Sequence, residues 1–439
     1  MYSSLTDDQP ARPVTAANTD NALYRKVSMR IVPFLFICYV VSFLDRINIG
    51  FAQLQMKQDL GFSDAMYGLG AAVFYVGYVL FEVPSNLLLE KFGARKTFVR
   101  IMLLWGAASV GMMWVSTATH FYILRFMLGV FEAGFFPGIV LYLTYWYPAL
   151  RRASVLSFFF AGVAVAGVLG GLVSGWIMRD MADVLGMHGW QWMFCIEGSP
   201  AILLAAIAYF YLDDSPHQAR WLTGAEKRQL EANLAAEQDQ QQATSQHGLS
   251  SVLTNPRVYL FAFIYFALTC ASLTLSFWMP IMIRDFGVRD VVMISLYSAI
   301  PNAVGAVAVI LIARHSDRTA QHRKYFALCT IGGALALSSL TFHPESLTAT
   351  LALLALATAL IFSALPIFWA IPTAYLPRNA KAGGIALISS VGITSGIAGP
   401  WAIGQIKTST GNMDNALYLL SVLLVMSAMA LLAGVKRKK

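Results

Sequence analysis

The chain is a series of long apolar runs that are separated by short polar segments. Twelve runs of roughly 18–28 residues occur, and each can cross a hydrocarbon layer that is ~30 Å thick. A helix that crosses a membrane satisfies its own backbone hydrogen bonds, so we predict that each run is a transmembrane helix. The predicted spans are 27–54, 64–90, 96–115, 121–146, 154–178, 190–212, 256–283, 291–313, 325–341, 349–375, 381–406 and 412–435.

A polar segment divides the spans into two sets of six. We therefore predict an all-α polytopic membrane protein whose two six-helix bundles, residues 24–212 and 255–435, are related by pseudo-symmetry. Residues 1–23 are polar and lack the pattern of a signal peptide, so we expect a disordered cytoplasmic tail. Residues 213–254 are predicted to form a cytoplasmic linker with a short surface helix at most, and residues 436–439 a basic cytoplasmic tail.

The distribution of basic residues tests this topology. Charged residues make up 12% of the chain, whereas a soluble domain usually has about 25%. If the N-terminus is cytoplasmic, 24 of the 31 Lys and Arg residues lie on the cytoplasmic side, five on the outer side and two, Arg46 and Arg125, within spans. The positive-inside rule then places both termini in the cytoplasm. The net charge of +8 therefore reflects topology and does not indicate a nucleic-acid partner.

The cysteines and histidines do not form a recognisable site. The four cysteines are single residues in apolar segments, and the seven histidines lie in tails, loops or helix ends. This spacing argues against a disulfide framework and against a metal site. We expect no cofactor other than protons as a coupling ion, and no pattern of an enzyme nucleophile with its base is present.

Four ionisable residues within predicted spans are candidates for function. They are Asp45 and Arg46 in span 1, and Arg125 and Glu132 in span 4. Charges at membrane depth are costly and usually serve binding or ion movement. The alternative is that they form structural ion pairs between spans 1 and 4. Two further acids, Glu82 and Glu197, lack an obvious partner, and we favour a structural or cytoplasm-facing role for them.

Arg125 and Glu132 are seven residues apart, which places them on one helix face about 10 Å apart along the axis. A guanidinium binds a carboxylate through two parallel hydrogen bonds. Burial disfavours the charged form of a carboxylate, which can then carry a proton near neutral pH. We predict that both arginines and both acids face one cavity that binds an anion and relays protons.

Other side chains could line the same cavity. Tyr75, Tyr78, Trp278 and Trp369 lie deep in their spans and could stack on a substrate, and Asn302 and Ser389 could supply hydrogen bonds. Such a lining suits either hydroxyl groups or a ring. The pattern therefore leaves a hydroxy diacid, a sugar acid and an aromatic acid as possible substrates.

Two features indicate movement between the halves. The turn after span 2 contains Glu90, Arg95 and Lys96, and the turn after span 8 contains Asp317 and Arg318. An acid–base pair there could hold neighbouring helices in one conformation, although ordinary topological charge explains the bases equally well. Spans 5 and 11 carry glycines at helical spacing, which allow close helix approach. These faces could slide between the halves or only pack.

Several short motifs stand out along the chain. They are FLDRINIG at 43–50, VPSN at 83–86, GARK at 93–96, EAG at 132–134, FPG at 136–138, GWQW at 189–192, EG at 197–198 and WLT at 221–223. Together they resemble the anion:cation symporter branch of the major facilitator superfamily, which includes permeases for tartrate, phthalate, 4-hydroxyphenylacetate and galactonate. The resemblance covers nearly the whole chain.

This resemblance implies alternating access and import of organic anions together with protons. By similarity, Asp45 and Glu132 correspond to proton-coupling acids, and Arg46 and Arg125 to basic cavity residues. Tyr78 corresponds to a cavity tyrosine, and Trp369 to a position near the substrate.

We therefore predict a monomeric, proton-coupled symporter that imports a small organic carboxylate across a bacterial cytoplasmic membrane. One alternative is an exchanger or exporter of organic acids with the same fold. Another is a sensor that binds a ligand without transporting it. The chain is not predicted to be an enzyme.

Overall fold

The computed structural model describes residues 14–242, 255–342, 346–375 and 381–435. Within these ranges the chain folds into fifteen α-helices and forms no β-strand. The helices are α1 (Val14–Asp59), α2 (Asp64–Phe92), α3 (Ala94–Gly111), α4 (Ala118–Glu132), α5 (Phe135–Thr144), α6 (Ala149–Asp180), α7 (Gly189–Tyr211), α8 (Gly224–Gln242), α9 (Pro256–Asp285), α10 (Val291–Thr319), α11 (His322–Leu340), α12 (Leu347–Tyr375), α13 (Lys381–Ile393), α14 (Ser395–Thr410) and α15 (Asp414–Gly434).

The twelve predicted spans all have a helical counterpart. In the described part of the chain, ten helical segments are long and apolar enough to cross a membrane, with α4 and α5 counted as one segment. Helices α6 and α11 occupy the places of the fifth and ninth spans. The eleventh span consists of α13 and α14, which are separated at Thr394. Only α8 lies outside the set of spans, and it belongs to the predicted linker.

The packing within each half follows the same plan. In the first half, α3 packs on α7, α2 on α4, and α1 on α6. The corresponding spans of the second half also pack on one another, namely α11 on α15, α10 on α12, and α9 on α13. The two halves therefore repeat one arrangement of six helices, as the apolar runs predict.

The contacts between the halves obey this symmetry as well. Helix α2 packs on α14, α6 on α10, and α1 on α9. These contacts join span 2 to span 11, span 5 to span 8, and span 1 to span 7. Exchanging the two halves converts the contact between spans 2 and 11 into the contact between spans 8 and 5. The helices approach closely because glycines lack a side chain: a Cβ atom on Gly68 would lie 2.4 Å from the carbonyl oxygen of Pro400. The close approach predicted for the glycines of spans 5 and 11 is confirmed, because Gly171 lies against the backbone of Ser295 and Gly396 against the ring of Tyr75.

The halves are joined at one end of the bundle. There the backbone N–H of Ala65 donates a hydrogen bond of 2.8 Å to Oγ1 of Thr408, across the boundary between the halves. Gly404 packs against the carbonyl oxygen of Asp64 at the same end. Toward the opposite end of α2, the side chains of Leu80, Val83 and Leu87 are 60–65% exposed. We refer to the end that contains Ala65 and Thr408 as the closed end.

The prediction of a disordered tail over residues 1–23 is wrong for residues 14–23, which are helical. Leu23 is buried, and Asp20 accepts a hydrogen bond of 2.5 Å from Gln229 of α8. Residues 1–13 and 436–439 lie outside the described residues. A polar segment can be helical when a neighbouring segment covers its few apolar side chains, and local polarity does not report that neighbour.

The linker segment packs on this extension of α1. Nζ of Lys26 lies 2.8 Å from Oε2 of Glu226, and Leu230 of α8 is fully buried. The hydrogen bond from Lys26 lowers the pKa of Glu226. The short surface helix that was predicted for the linker therefore exists as a helix of 19 residues that is attached to the first half. Residues 243–254 of the linker lie outside the described residues.

Candidate functional site

A cleft lies between the two halves, on the side of the inter-half contacts that faces away from the closed end. Its empty space is about 580 Å³, part of which is open to solvent. The lining comes from α1, α2 and α6 of the first half and from α9, α10 and α12 of the second. Among the described residues that line it, Arg46 is the one charged side chain. Most of the others are apolar or aromatic.

Arg46 forms an ion pair with Glu132 at the wall of the cleft. Nε of Arg46 lies 2.8 Å from Oε1 of Glu132, and the same oxygen accepts a hydrogen bond of 2.5 Å from Oγ of Ser42. Ser42 and Arg46 are one helical turn apart in α1, so they reach the same atom. The side chain of Arg46 is 12% exposed, whereas that of Glu132 is fully buried. Oε2 of Glu132 is buried and has no hydrogen-bond partner within the described part of the chain.

Glu132 occupies the point at which the fourth span breaks. Helix α4 ends at Glu132, and α5 begins at Phe135. Between them Gly134 has a φ of +81°, in the left-handed region that favours glycine, and a Cβ atom there would lie 2.6 Å from Cβ of Ser85. The prediction of one continuous helix over 121–146 is therefore wrong at this point. Discontinuous helices are frequent at the binding sites of membrane transport folds.

Aromatic rings surround the guanidinium of Arg46. Its Cζ lies 4.9 Å from the ring centroid of Tyr78, 5.1 Å from that of Phe43 and 5.7 Å from that of Phe74. The negative faces of these rings stabilise the cation where little water is present. Tyr78 contacts Arg46, but it is buried and is not among the described residues that line the cleft.

Arg125 lies apart from the cleft. Its side chain is buried, its Nε donates a hydrogen bond of 3.2 Å to the carbonyl oxygen of Gly70, and its Cζ lies 4.9 Å from the ring centroid of Phe74. Phe74 therefore contacts both guanidinium groups. Arg125 is not among the described residues that line the cleft, so this conformation does not bring both predicted arginines to one cavity.

Asp45 points to a different neighbour than Arg46 does. Oδ2 of Asp45 accepts a hydrogen bond of 2.5 Å from Nε1 of Trp105, and Oδ1 accepts one of 2.7 Å from Oγ of Ser109. Both donors belong to α3. Consecutive residues of a helix point about 100° apart, which separates Asp45 from the cleft. The two predicted acids thus have different hydrogen-bond partners, namely Arg46 and Ser42 for Glu132 and two neutral donors for Asp45.

Glu197 belongs to the same buried polar region as Asp45. Oε1 of Glu197 accepts a hydrogen bond of 2.7 Å from Oγ of Ser174, and Glu197 is buried. Asn48, three residues after Asp45, donates to Oδ1 of Asp45 at 3.4 Å and also interacts with Glu197. The expectation of a structural or cytoplasm-facing role did not include this connection. Glu82, by contrast, lies half-buried in α2 and interacts electrostatically with Arg46.

The remaining predicted lining residues divide into two groups. Tyr75 and Asn302 line the cleft. Trp278 is fully buried and packs edge-on against Tyr67, with 5.3 Å between the ring centroids, so it does not reach the cleft. Trp369 is half-buried and packs against Tyr265 at 4.9 Å. Ser389 is half-buried in α13 and is not among the described lining residues.

Sequence reasoning did not identify several residues of the site. Ser42, which binds Glu132, and Phe277 and Ser276, which line the cleft, lack charge and resemble any other residue of an apolar span. The position of Ser42 four residues before Arg46 is the only sequence signal that could have found one of them, because this spacing places both on one face.

The predicted latch residues lie at the ends of the helices, as expected. Arg95 donates its backbone N–H to Oδ1 of Asp214 at 2.7 Å, so an acid of the linker binds the start of α3. Glu90 and Lys96 are exposed, and no ion pair between them is recorded in the described structure. Asp317 and Arg318 are also exposed, and Oδ1 of Asp317 lies 3.7 Å from Nδ1 of His322.

Within the described ranges, no three His, Cys, Asp or Glu side chains converge as a metal site would require.

The fold has known counterparts among solved structures. The xylose transporter XylE from E. coli, solved in an inward open conformation, aligns with a TM-score of 0.76 at 15% sequence identity, over 93% of this chain and 96% of that chain. At this identity the similarity concerns the fold alone.

Relatives with higher sequence similarity span the same length. A protein of Pseudomonas putida named as the metabolite transport protein NicT is 42% identical over 412 residues, which is 94% of each chain. A protein of Agrobacterium vitis named as a tartrate transporter is 43% identical over 418 residues, 94% of this chain and 92% of that one. The family model of the Major Facilitator Superfamily matches residues 35–435. The chain is a multi-pass membrane transport protein and belongs to the Major Facilitator Superfamily.

Proposed function

We propose that this protein is a proton-coupled symporter that imports a small organic carboxylate across a bacterial cytoplasmic membrane. The ion pair between Arg46 and Glu132 carries this proposal. It joins the one charged side chain of the described cleft lining to a buried acid that has a free oxygen. An arginine that can exchange one carboxylate for another provides a binding site for an organic anion.

The pair also links the anion to a proton. When Glu132 is ionised, it compensates the charge of Arg46 and competes with a substrate carboxylate. A proton on Glu132 removes this competitor, and the guanidinium of Arg46 can then bind the substrate through two parallel hydrogen bonds. Binding of the proton therefore favours binding of the anion. Such reciprocal coupling is what a symporter requires.

The inter-half contacts support alternating access. Under the orientation that the positive-inside rule predicts, the closed end faces outward and the cleft opens to the cytoplasm. Release of the contacts between α2 and α14 and between α6 and α10 would open the outer side. The glycines in these contacts have no side chains that interlock, so the two surfaces can separate and close again. A relative that is named as a tartrate transporter supports a carboxylate as cargo.

Transport in proteoliposomes tests the proposal. We expect an inward proton gradient to drive accumulation of a radiolabelled carboxylate by the wild type. Glu132→Gln should retain exchange of labelled for unlabelled substrate, because Arg46 is free to bind, but lose accumulation against a gradient. Glu231→Gln makes the same chemical change at an exposed position of α8 and serves as the control.

The alternatives predict different results. An exporter or exchanger would accumulate substrate under an outward proton gradient or only against a counter-anion. A sensor would bind the carboxylate and show no flux. Full gradient-driven accumulation by Glu132→Gln would remove Glu132 from the coupling mechanism.

A further inference from the structure

We infer that the substrate is a monocarboxylate with an apolar, ring-sized body rather than a diacid. This inference rests on the proposed function and narrows its substrate class. Three observations carry it: the charge of the cleft, the chemistry of its polar wall, and the character of its remaining lining.

The charge of the cleft matches one carboxylate. Arg46 is the one charged residue in the described lining, and its partner Glu132 is neutral in the proton-loaded state. The pair then carries a single positive charge, which one carboxylate neutralises. A second carboxylate would be enclosed without a cation when the cleft closes, and an unpaired buried charge is strongly unfavourable.

Arg125 does not supply the second charge. Its guanidinium is buried, hydrogen-bonded to the carbonyl oxygen of Gly70 and packed on the ring of Phe74. The same ring also contacts Arg46, and Arg125 is not among the described residues that line the cleft. A substrate in the described cleft therefore meets Arg46 and not Arg125.

The polar wall opposite Arg46 is neutral and mostly offers acceptors. Oγ of Ser298 donates to the carbonyl oxygen of Ile294 at 2.8 Å, and Oγ of Ser276 donates to that of Ser272 at 3.1 Å. Nδ2 of Asn302 donates to the carbonyl oxygen of Ser298 at 2.9 Å, which leaves Asn302 one N–H and its Oδ1. This wall can bind a hydroxyl group or a ring N–H. Apart from the remaining N–H of Asn302, it presents lone pairs to a second carboxylate, which repel it.

The rest of the lining is hydrophobic and largely aromatic. It consists of Phe43, Ile47, Phe51, Tyr75, Val163, Gly167, Leu273, Phe277, Met279, Pro280 and Phe362. Aromatic side chains favour offset-stacked or edge-to-face contact with a ring. A hydroxy diacid such as tartrate would leave this surface without an apolar partner, and its own polar groups would lose their hydration.

Binding of matched acids to the purified full-length protein tests the inference. Benzoate and phthalate share a ring and differ by one carboxylate, and tartrate has two carboxylates and no ring. In displacement of radiolabelled benzoate, we expect benzoate to bind at least about tenfold more tightly than phthalate or tartrate, since an unpaired charge costs more than 1.4 kcal/mol.

A designed change of the wall provides the converse test. Asn302→Arg adds a second cation opposite Arg46 and should move the preference toward phthalate by about tenfold or more, whereas Asn302→Gln should retain the preference for benzoate. Ser276→Lys places the added positive charge on α9 instead. It provides the same test if Asn302→Arg does not fold. Tighter binding of phthalate or tartrate than of benzoate by the wild type would overturn the inference and leave carboxylate transport standing. Failure of all three acids to bind would overturn the proposed function itself.

Discussion

The side chains of Asp45 and Arg46, consecutive residues of α1, point about 100° apart and have separate partners. Asp45 accepts hydrogen bonds from Trp105 and Ser109 of α3, whereas Arg46 binds Glu132 at the end of α4. The hydrogen bonds of the two residues thus lead to different neighbouring helices, although Asp45 also interacts electrostatically with Glu132. Of the two, only Arg46 is among the described residues that line the cleft.

Replacement of Arg46 should show whether paired hydrogen bonds are needed. Lysine keeps the charge but offers a point charge instead of a planar fork, so Arg46→Lys should weaken carboxylate binding by about tenfold or more. Equilibrium binding of labelled substrate measures this. Arg228→Lys, at an exposed position of α8, makes the same change and should bind as the wild type does. Unaltered affinity of Arg46→Lys would mean that the substrate is not held by the guanidinium fork.

Trp105→Phe should destabilise the protein without altering the cleft. The substitution removes the N–H that donates to Oδ2 of Asp45, and such a hydrogen bond contributes ~0.5–1.5 kcal/mol to a neutral acceptor and ~1.5–3 kcal/mol to a charged one. We expect a lower apparent Tm in detergent together with unchanged substrate affinity. Trp114→Phe is the control, because Trp114 is 68% exposed. Equal melting of both variants would contradict a stabilising role of this bond.

Gly134→Ala should disrupt the break between α4 and α5. An alanine at a φ of +81° costs about 1–3 kcal/mol, and its Cβ would also collide with Ser85. Gly61→Ala separates these two effects, because Gly61 has a φ of +68° but no atom within 4 Å of the added Cβ. We expect Gly134→Ala to lower the apparent Tm more than Gly61→Ala and to impair transport as well. Equal effects would show that the contact with Ser85 is unimportant.

A disulfide across the closed end should stop transport reversibly. The N–H of Ala65 lies 2.8 Å from Oγ1 of Thr408, so the double variant Ala65→Cys/Thr408→Cys brings two thiols within reach. In a background without the four native cysteines, oxidation should abolish flux and a reductant should restore it. Each single variant should remain active under oxidation. Full flux through the oxidised double variant would show that this end does not open.

The contact between α1 and α8 should depend on pH. Lys26 lowers the pKa of Glu226, so the contact stabilises the fold above the pKa of Glu226 in the unfolded chain, near 4.3, and is lost as pH falls through the lower folded value. Both side chains are partly exposed, so the contribution is about 1 kcal/mol at most. Glu226→Gln should lower the apparent Tm slightly at pH 7 and not at about pH 3. A difference that persists at pH 3 would contradict this account.

The spans, their grouping into halves and the identity of the buried charges were predictable from the sequence. Hydrocarbon thickness and the cost of buried charge act on each segment separately, so composition and spacing carry this information. The helix break after Glu132 was harder to predict from the sequence. Gly134 is one of 33 glycines, and its φ of +81° and its contact with Ser85 in α2 distinguish it only in the folded chain.

The sequence by itself determined that this protein is a twelve-span membrane protein with Asp45, Arg46, Arg125 and Glu132 buried within it. The tertiary structure decided that Arg46 pairs with Glu132, that Arg125 packs on Phe74 and that Asp45 binds α3. The physical reason is rotation: each residue advances about 100° around a helix, so the rotation of a helix about its axis selects the partners of its side chains. That rotation depends on packing against neighbouring helices, which no single segment specifies.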